Sequence, residues 1–351
     1  MSSGGAGRDL SKLIARPFSH DTLSADASAR VLLLAPPGDL QLPDGLTNDL
    51  LAVQGFRLDY LKLTQRGLNV VPDSAEIAND GSFDIVIVCL SRHRRWNEQM
   101  LSTAARVCAE GGTIVAAGGK TDGAGAIRKA LSRLTDDLQS LPKHHGIVMW
   151  LRVDNAVRTA LTAAFHPEEE PSAAGFVTAP GGFSAERVDA GSALLAQHLP
   201  SDLDGAVADF CAGWGYLSAA ALKRCPALAS LDLFEADWAS LEAAKRNLTG
   251  TRAIIAYHWR DLAHEPVEGR FDTIVMNPPF HTGRAAEPAL GAAIIERAAS
   301  CLKPGGRLFL VANRQLPYEG VIDRRFATAR LLAETPIYKV IEAARPVAAR
   351  Q

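Results

Sequence analysis

The sequence predicts an α/β protein of two tandem domains, each built on a mostly parallel sheet with helices on both faces. Three observations carry that prediction. Short apolar runs of strand length alternate with longer helical stretches along nearly the whole chain, the pattern of strands joined by helical crossovers. A Pro- and Glu-rich stretch without apolar periodicity, from His166 to Gly175, interrupts the alternation near its middle and reads as a linker. The grammar of the first half then returns in the second, as a duplicated unit would. The expected boundaries are a first domain over 1–165, a linker over 166–175 and a second domain over 176–351.

Residues 1–29 read as a mobile entry followed by a short helix. Arg30 to Ala35 is a buried strand stopped by Pro36-Pro37-Gly38, because neither proline can donate to a ladder. Leu58 to Leu63 reads as another strand and Phe83 to Leu90 as a fully buried one. Asn97 to Cys108 is helical, Gly111-Gly112 a turn, and Thr113 to Ala117 a strand. Lys120 to Leu141 starts Gly-rich and continues as a helix, and Ile147 to Val153 closes the half as a strand. In the second half, strands are expected at 205–210, 230–234, 253–257, 271–276 and 307–312, with helices at 216–223, 238–248 and 289–302. Phe83-Asp84 opens an apolar strand with Gly111 of a Gly-Gly turn 28 residues later; Phe271-Asp272 opens another with Gly305 of a second such turn 34 residues later. That correspondence is the core of the repeat.

Composition bounds the functional classes. A chain of 351 residues holds about two domains at ~150 residues each. An apolar content of 47% and a charged content of 22% describe a globular protein able to bury two cores. A net charge of −2 excludes a global basic field, so a nucleic-acid partner must meet local basic patches. Five dispersed cysteines, none in Cys-x-x-Cys spacing, point away from a disulfide framework or a zinc site and toward a reducing cytoplasm. No apolar run has the length of a membrane span, and Met1 to Gly7 has no apolar signal core. No metal and no membrane partner are expected.

Ile274-Val275-Met276 runs straight into Asn277-Pro278-Pro279-Phe280. The turn offers an amide side chain, carbonyls beside prolines that carry no N–H, and an aromatic ring. This set suits a flat, nitrogen-bearing group, on which the ring stacks while the oxygens accept from its N–H. A plain strand-ending turn is the competing reading, since Asn and Pro are ordinary turn residues. Asp209-Phe210-Cys211-Ala212-Gly213-Trp214-Gly215 lies at another strand end, where open α/β sheets bind ligands. Glu235 follows Gly215 by 20 residues at the end of the next strand, the spacing of an acid that holds ribose hydroxyls. Ser218 stands where a dinucleotide fingerprint has its third glycine, and no P-loop lysine follows. The ligand favoured is a nucleoside without phosphates, such as S-adenosylmethionine. Asp261 is a candidate acceptor for an adenine amino group, and equally an ordinary N-cap.

These residues resemble the bacterial ribosomal-RNA guanine-N2 methyltransferases, class I enzymes acting on 16S or 23S rRNA. The resemblance rests on Gly182-Phe183-Ser184 with Asp189-x-Gly191-Ser192-x-Leu194-Leu195, the Asp209 to Gly215 loop, Asn277 to His281, and Val311-Ala312-Asn313 with Leu316-Pro317-Tyr318. In the first half, Gly119 to Gly123 and Lys143-His144-His145-Gly146 are similar to features of that family's degenerate N-terminal domain. Where the second copy has Asn277 to Phe280, the first has Cys89-Leu90-Ser91-Arg92. The resemblance implies two Rossmann-like class I methyltransferase domains with seven-stranded-type sheets, the first without a working site. It implies S-adenosylmethionine held by Asp209, Cys211, Gly213, Gly215, Glu235, Asp261 and Asn277, and transfer to a guanine amine at Asn277, Pro278 and Phe280. The implied partner is ribosomal RNA or a ribosomal subunit, 16S ahead of 23S, met by a monomer. The family loop usually reads Asp-x-Gly-Cys-Gly-x-Gly, so Cys211 replaces its first glycine, a change that fits best where φ is negative. Trp214 either covers the cofactor or packs beneath the loop. Arg92 to Arg95, Lys143 to His145, Arg284, Arg314, Arg324 and Arg325 are the basic candidates for RNA contact. The Asn-Pro-Pro-aromatic turn also occurs in adenine-N6 and protein glutamine methyltransferases, and a non-catalytic RNA-binding or assembly factor is the further alternative.

Overall fold

The computed structural model describes residues 6–19, 23, 28–43, 45–46, 49–77, 81–165, 175–279, 281–282, 285–286 and 288–347. The chain forms two units, Met1–Glu168 and Glu169–Gln351. All of the expected linker except Gly175 lies outside the described residues.

In the first unit the elements run α1 (Ala6–Ser19), β1 (Arg30–Leu34), β2 (Asp49–Val53), α2 (Arg57–Gln65), β3 (Asn69–Val71), β4 (Phe83–Cys89), α3 (Arg94–Val107), β5 (Cys108–Gly119), α4 (Ala124–Leu131), β6 (Gln139–Lys143), β7 (Gly146–Arg152) and α5 (Asn155–Ala164). The strand order is β3-β2-β1-β4-β5-β7-β6, parallel except that β7 runs against both β5 and β6. Successive side chains of β1 alternate between two cores, as the strand period requires. Val31 and Leu33 share a cluster with Leu13 and Ile14 of α1, and Leu32 and Leu34 share another with Met100 and Leu101 of α3.

The second unit runs α6 (Ala190–His198), β8 (Ala206–Phe210), α7 (Tyr216–Arg224), β9 (Ser230–Glu235), α8 (Trp238–Asn247), β10 (Ile254–Trp259), β11 (Phe271–Met276), β12 (His281–Thr282), β13 (Ala285–Ala286), α9 (Pro288–Cys301), β14 (Leu302–Asn313), α10 (Glu319–Arg325), β15 (Phe326–Glu334) and β16 (Tyr338–Pro346). Its large sheet is ordered β10-β9-β8-β11-β14-β16-β15, with β16 antiparallel to both β14 and β15. Counted from the first strand of each sheet, the two orders are the same. The agreement reaches single hydrogen bonds. Asp84 Oδ2 accepts the Arg30 N–H at the start of β1 (2.9 Å), and Asp272 Oδ2 accepts the Ala206 N–H at the start of β8 (2.8 Å). The repeated Phe-Asp pair of the sequence therefore has a physical role, since its aspartate ties the first residue of the neighbouring strand. Two tandem seven-stranded, mostly parallel sheets are thus the fold the sequence predicts.

Three element expectations are corrected: the Gly111-Gly112 and Gly305-Gly306 turns fall inside β5 and β14, at register shifts against β4 and β11, and two segments change type. Leu58 to Leu63 is helix, within α2, and the strand beside β1 is β2. Asp59 and Lys62, three apart, both face Gly38. Asp59 Oδ1 accepts its N–H (2.9 Å), and a Cβ on Gly38 would meet Lys62 first, at 2.7 Å. That is a helical spacing, which a strand cannot supply. The stretch from Lys120 to Leu141 is helical only over α4; its end enters β6, an edge strand against β7. Pro142 is tolerated there because an edge leaves donors unpaired on one side.

Candidate active site

Four loops of the second unit leave adjacent strands at the same edge of the sheet. Phe210 pairs with Phe234 and with Met276, and Glu235 with Trp259. The residues that follow, Cys211 to Gly215, Ala236-Asp237, Arg260-Asp261 and Asn277 to Pro279, therefore stand side by side. The sheet order reverses between β8 and β11. That reversal opens the crevice where ligands of such sheets bind, between the glycine loop and Asn277.

Asp209 is completely buried at the end of β8. Its Oδ2 accepts from Ser218 Oγ at 2.7 Å, while its Oδ1 has no hydrogen-bond partner. Glu235 is used on both oxygens: Oε2 accepts the Gly213 N–H (2.8 Å), and Oε1 accepts those of Ala236 (2.8 Å) and Asp237 (2.9 Å). It ties the glycine loop to the start of α8. Burial, against these hydrogen bonds, pushes both carboxyls up, Asp209 to about 7 and Glu235 to about 7. Asp261 Oδ1 accepts from the Ala263 N–H (3.0 Å) and Oδ2 meets His264 Nδ1 (2.7 Å). It therefore serves as a loop-capping carboxylate, near enough to Cys211 to raise its thiol. Gly215 begins α7 at φ 87°, and a Cβ there would press on Ala244 at 3.2 Å. Gly213 has φ 54° with open space around its Cα. Cys211, by contrast, has φ 63°. A non-glycine residue thus occupies the left-handed region, the less comfortable of the two cases that the sequence left open for Cys211. Its thiol is raised well above its ordinary value by burial and by Glu235, Asp209 and Asp261, so it stays protonated.

An acid-lined crevice with an orphaned carboxylate oxygen suits a cationic nucleoside ligand. An ammonium or hydroxyl hydrogen from the ligand would satisfy Asp209 Oδ1, and burial of a positive charge is offset by nearby acids. Trp214 does not cover this crevice. It is 4% exposed, packs on Phe176 (5.0 Å) and Tyr216 (5.6 Å), and donates from Nε1 to the Phe183 carbonyl (3.2 Å). Packing beneath the loop is its role.

Asn277 stands at the end of β11. Its Nδ2 donates to Asp189 Oδ2 (3.0 Å) and Ser192 Oγ (2.8 Å) at the start of α6, which spends both amide hydrogens. Pro278 is buried and Pro279 half-buried. Phe280 and Arg284 lie outside the described residues, as does the side chain of His281. Of the basic candidates, Arg325 is 8% exposed and paired with Glu296 (2.8 Å) and Ser300 (3.0 Å), so it is part of the packing. Arg314 pairs with Glu334 (2.8 Å) and Arg324 with Glu296 (3.7 Å). Arg94 pairs with Glu98 (2.7 Å). Lys143, His144 and His145 are exposed at the hairpin between β6 and β7.

From sequence, Asp189 and Ser192 stand out only as part of a family segment. The signal available is the Asp-x-x-Ser spacing before an apolar run, an N-cap pattern. Trp259 Nε1, donating to the Ala236 carbonyl (2.9 Å), has no such signal.

The sheet order, the acid-lined glycine loop and the Asn-Pro-Pro turn define a class I S-adenosylmethionine-dependent methyltransferase. Residues 173–342 match the family described as Methyltransferase small domain. A ribosomal RNA small subunit methyltransferase C of Pseudomonas paraeruginosa is 33% identical over 275 residues, covering 76% of this chain and 80% of the relative. One from Shewanella halifaxensis is 29% identical over 327 residues, covering 88% and 93%. A T. thermophilus 16S rRNA N2 methyltransferase (RsmC), solved with AdoMet and guanosine, superposes with a TM-score of 0.77 at 25% identity over 96% of this chain and 91% of that one. The chain belongs to the ribosomal RNA small subunit methyltransferase C family.

Proposed function

We propose that this enzyme transfers a methyl group from S-adenosylmethionine to the exocyclic N2 amine of a guanine in 16S rRNA. The observation that carries the reading is the state of Asn277. With both Nδ2 hydrogens spent on Asp189 and Ser192, its Oδ1 is left to accept from a substrate amine.

When bound, S-adenosylmethionine supplies an electrophilic methyl group on a sulfonium. Asp209, Glu235, Asp261 and the Cys211 to Gly215 loop would hold it, Glu235 through the ribose hydroxyls. A guanine amine is a poor nucleophile because its lone pair is delocalised into the ring. Hydrogen bonds from its two N–H groups to Asn277 Oδ1 and the Pro278 carbonyl oppose that delocalisation and stabilise the positive charge that develops on nitrogen. A ring stacked on the base, the role the sequence motif gives Phe280, is worth ~1–3 kcal/mol in single-stranded complexes. An unpaired base reaches such a site at least cost. The proton leaves after transfer, and no general base is assigned.

The first unit, in this reading, positions RNA and holds no cofactor. In support, Gln54 replaces the acid of the glycine loop, and Asp59 and Lys62 crowd Gly38. The Lys143 to His145 hairpin, exposed on that unit, is its candidate RNA contact. The enzyme works as a cytoplasmic monomer. Among the described residues no helix is long and apolar enough to cross a membrane.

The test is incubation with labelled S-adenosylmethionine and separated ribosomal subunits or rRNA, followed by digestion to nucleosides. Label is expected in N2-methylguanosine from 16S rRNA. Label in N6-methyladenosine, or only in protein, refutes the guanine assignment. Folded protein that fails to bind S-adenosylmethionine in calorimetric titration refutes the enzyme itself.

A further inference from the structure

Asn277 does not set its own orientation. An ionised carboxylate has no hydrogen to give, so the amide must meet Asp189 through its NH2 group, and Oδ1 turns away. The Asp189 oxygen that receives Nδ2 at 3.0 Å also accepts the Ser192 N–H at 2.7 Å, which makes Asp189 the N-cap of α6. The Tyr338 phenol at the start of β16 is raised by burial and then by this same Asp189 carboxylate. Gly191 permits this approach, because a Cβ there would lie 2.9 Å from the Tyr338 ring. Groups from the start of α6, the end of β11 and the start of β16 thus converge on one half-buried carboxylate. The first unit offers the contrast. The residue at the position of Asn277 is Cys89, which lies in one apolar cluster with Leu13 and Ile14 of α1.

We propose that Asp189 is a positioning residue for methyl transfer, acting through Asn277. Its carboxylate fixes which end of the Asn277 amide meets the substrate amine. It also polarises that amide, so that Oδ1 carries more negative charge where positive charge develops on the nitrogen. Ser192 Oγ, at 2.8 Å from Nδ2, is the second support. The inference rests on the reading of Asn277 as the acceptor-site residue.

The test is Asp189→Asn in the full-length protein. Asn caps a helix about as well as Asp, and its amide oxygen can still take the Ser192 N–H, but the charge is lost and one acceptor becomes a donor. The expected result is a fall in kcat on 16S rRNA or the small subunit of roughly 10–100-fold, the range that outer hydrogen-bond partners command. The S-adenosylmethionine Kd should stay within about twofold and the unfolding midpoint should hold, a split that a loss of folding does not give. Ser192→Ala should follow the same pattern with a smaller fall. In the Asn277→Ala background, Asp189→Asn should cost nothing further, because the relay has lost its end. Wild-type turnover by Asp189→Asn, or a loss that adds fully to that of Asn277→Ala, overturns the proposal and leaves the role of Asn277 standing. Full activity of Asn277→Ala alone removes that underlying role and the proposal with it.

Discussion

Strand register lines up the two units residue by residue. Phe210 pairs with Phe234 in one and Leu34 with Val53 in the other, so Glu235 answers to Gln54. Glu235 accepts from three backbone N–H groups around the glycine loop. Gln54 donates to the Pro36 carbonyl (2.6 Å) and accepts from the Phe56 N–H (2.8 Å). The same strut joins loop to helix, with the charge removed. Met276 pairs with Phe210 and Val88 with Leu34, so Asn277 answers to Cys89, whose buried thiol is pushed up to about 12. By the same register Gly213 answers to Pro37, and Gly38 to Trp214; a Cβ at Gly38 would strike Lys62 at 2.7 Å. The difference shows how little of the fold the chemistry uses. Strand order, strand direction and the Phe-Asp tie are the same in both units, and the differences fall on a few side chains at the strand ends.

Making the second unit more like the first is the direct way to break that comparison. The largest effect is expected from Asn277→Ala. Removing one preorganised transition-state partner costs about 10²–10³-fold in kcat, while S-adenosylmethionine binding should be largely retained. Methyl transfer to 16S rRNA and calorimetry read the two quantities separately. Undiminished turnover takes Asn277 out of the acceptor site. Next is Glu235→Gln, which installs the first unit's residue. Hydrogen bonds to a charged group are worth about 1.5–3 kcal/mol, so the Kd for S-adenosylmethionine should weaken roughly 10–100-fold. If Glu235→Gln binds as tightly as the wild type, the acid-to-amide change is not what separates the units.

How far these positions are legible in the sequence depends on where their causes lie. Asn277, Gly213, Gly215 and Glu235 can be read because each sits at a strand end, at a spacing set by one strand–helix–strand step. The Phe83-Asp84 and Phe271-Asp272 correspondence can be read for the same reason. Asp189 cannot be tied to Asn277 because 88 residues separate the partners of that hydrogen bond, and no local period records it. The α2 segment misleads because its leucines and tyrosine imitate alternation, while the contacts that decide its form, Asp59 and Lys62 on Gly38, lie in another element. The edge strand β15 exposes most of its residues and so carries little of the apolar signal that marks a strand. The φ of Cys211 is hidden because a backbone angle leaves no mark on a single side-chain identity.

A third prediction sharpens the electrostatic half of the comparison. Asp209 and Glu235 rise to about 7 from ordinary values of 3.8 and 4.5, burial being the first cause for both. A carboxyl with a folded pKa above its unfolded one binds protons more tightly in the folded state. Its contribution to stability is therefore greatest at low pH and declines as pH rises from about 4 to about 7. The cationic cofactor demands the ionised forms, so its binding should strengthen with pH and release protons below about pH 7. If one of the two acids controls binding, the Kd should tighten roughly tenfold between about pH 6 and pH 8. Calorimetry in buffers of different ionisation enthalpy counts the protons. Glu235→Gln should reduce that count, and Gln54 gives the first unit nothing to titrate at the corresponding place.

The smallest expected effect concerns a position where the two units agree. Cys211 has φ 63° and Ala35, directly after β1, has φ 55°, so each unit carries an L side chain in the left-handed region at the same step. Such a residue costs about 1–2 kcal/mol relative to an ordinary backbone conformation, partly offset in a glycine variant by the greater freedom of the unfolded chain. Cys211→Gly should therefore stabilise the protein by about 0.5–1 kcal/mol, read as a higher unfolding midpoint, and Ala35→Gly should do the same. The Cys211 thiol is held protonated, so its removal takes no charge from the crevice, and the S-adenosylmethionine Kd should stay within about twofold. Equal gains at both positions would make the strained turn a property of the shared fold. A tighter Kd in Cys211→Gly, with no matching gain from Ala35→Gly, would instead make Cys211 a restraint on the cofactor loop of the second unit alone.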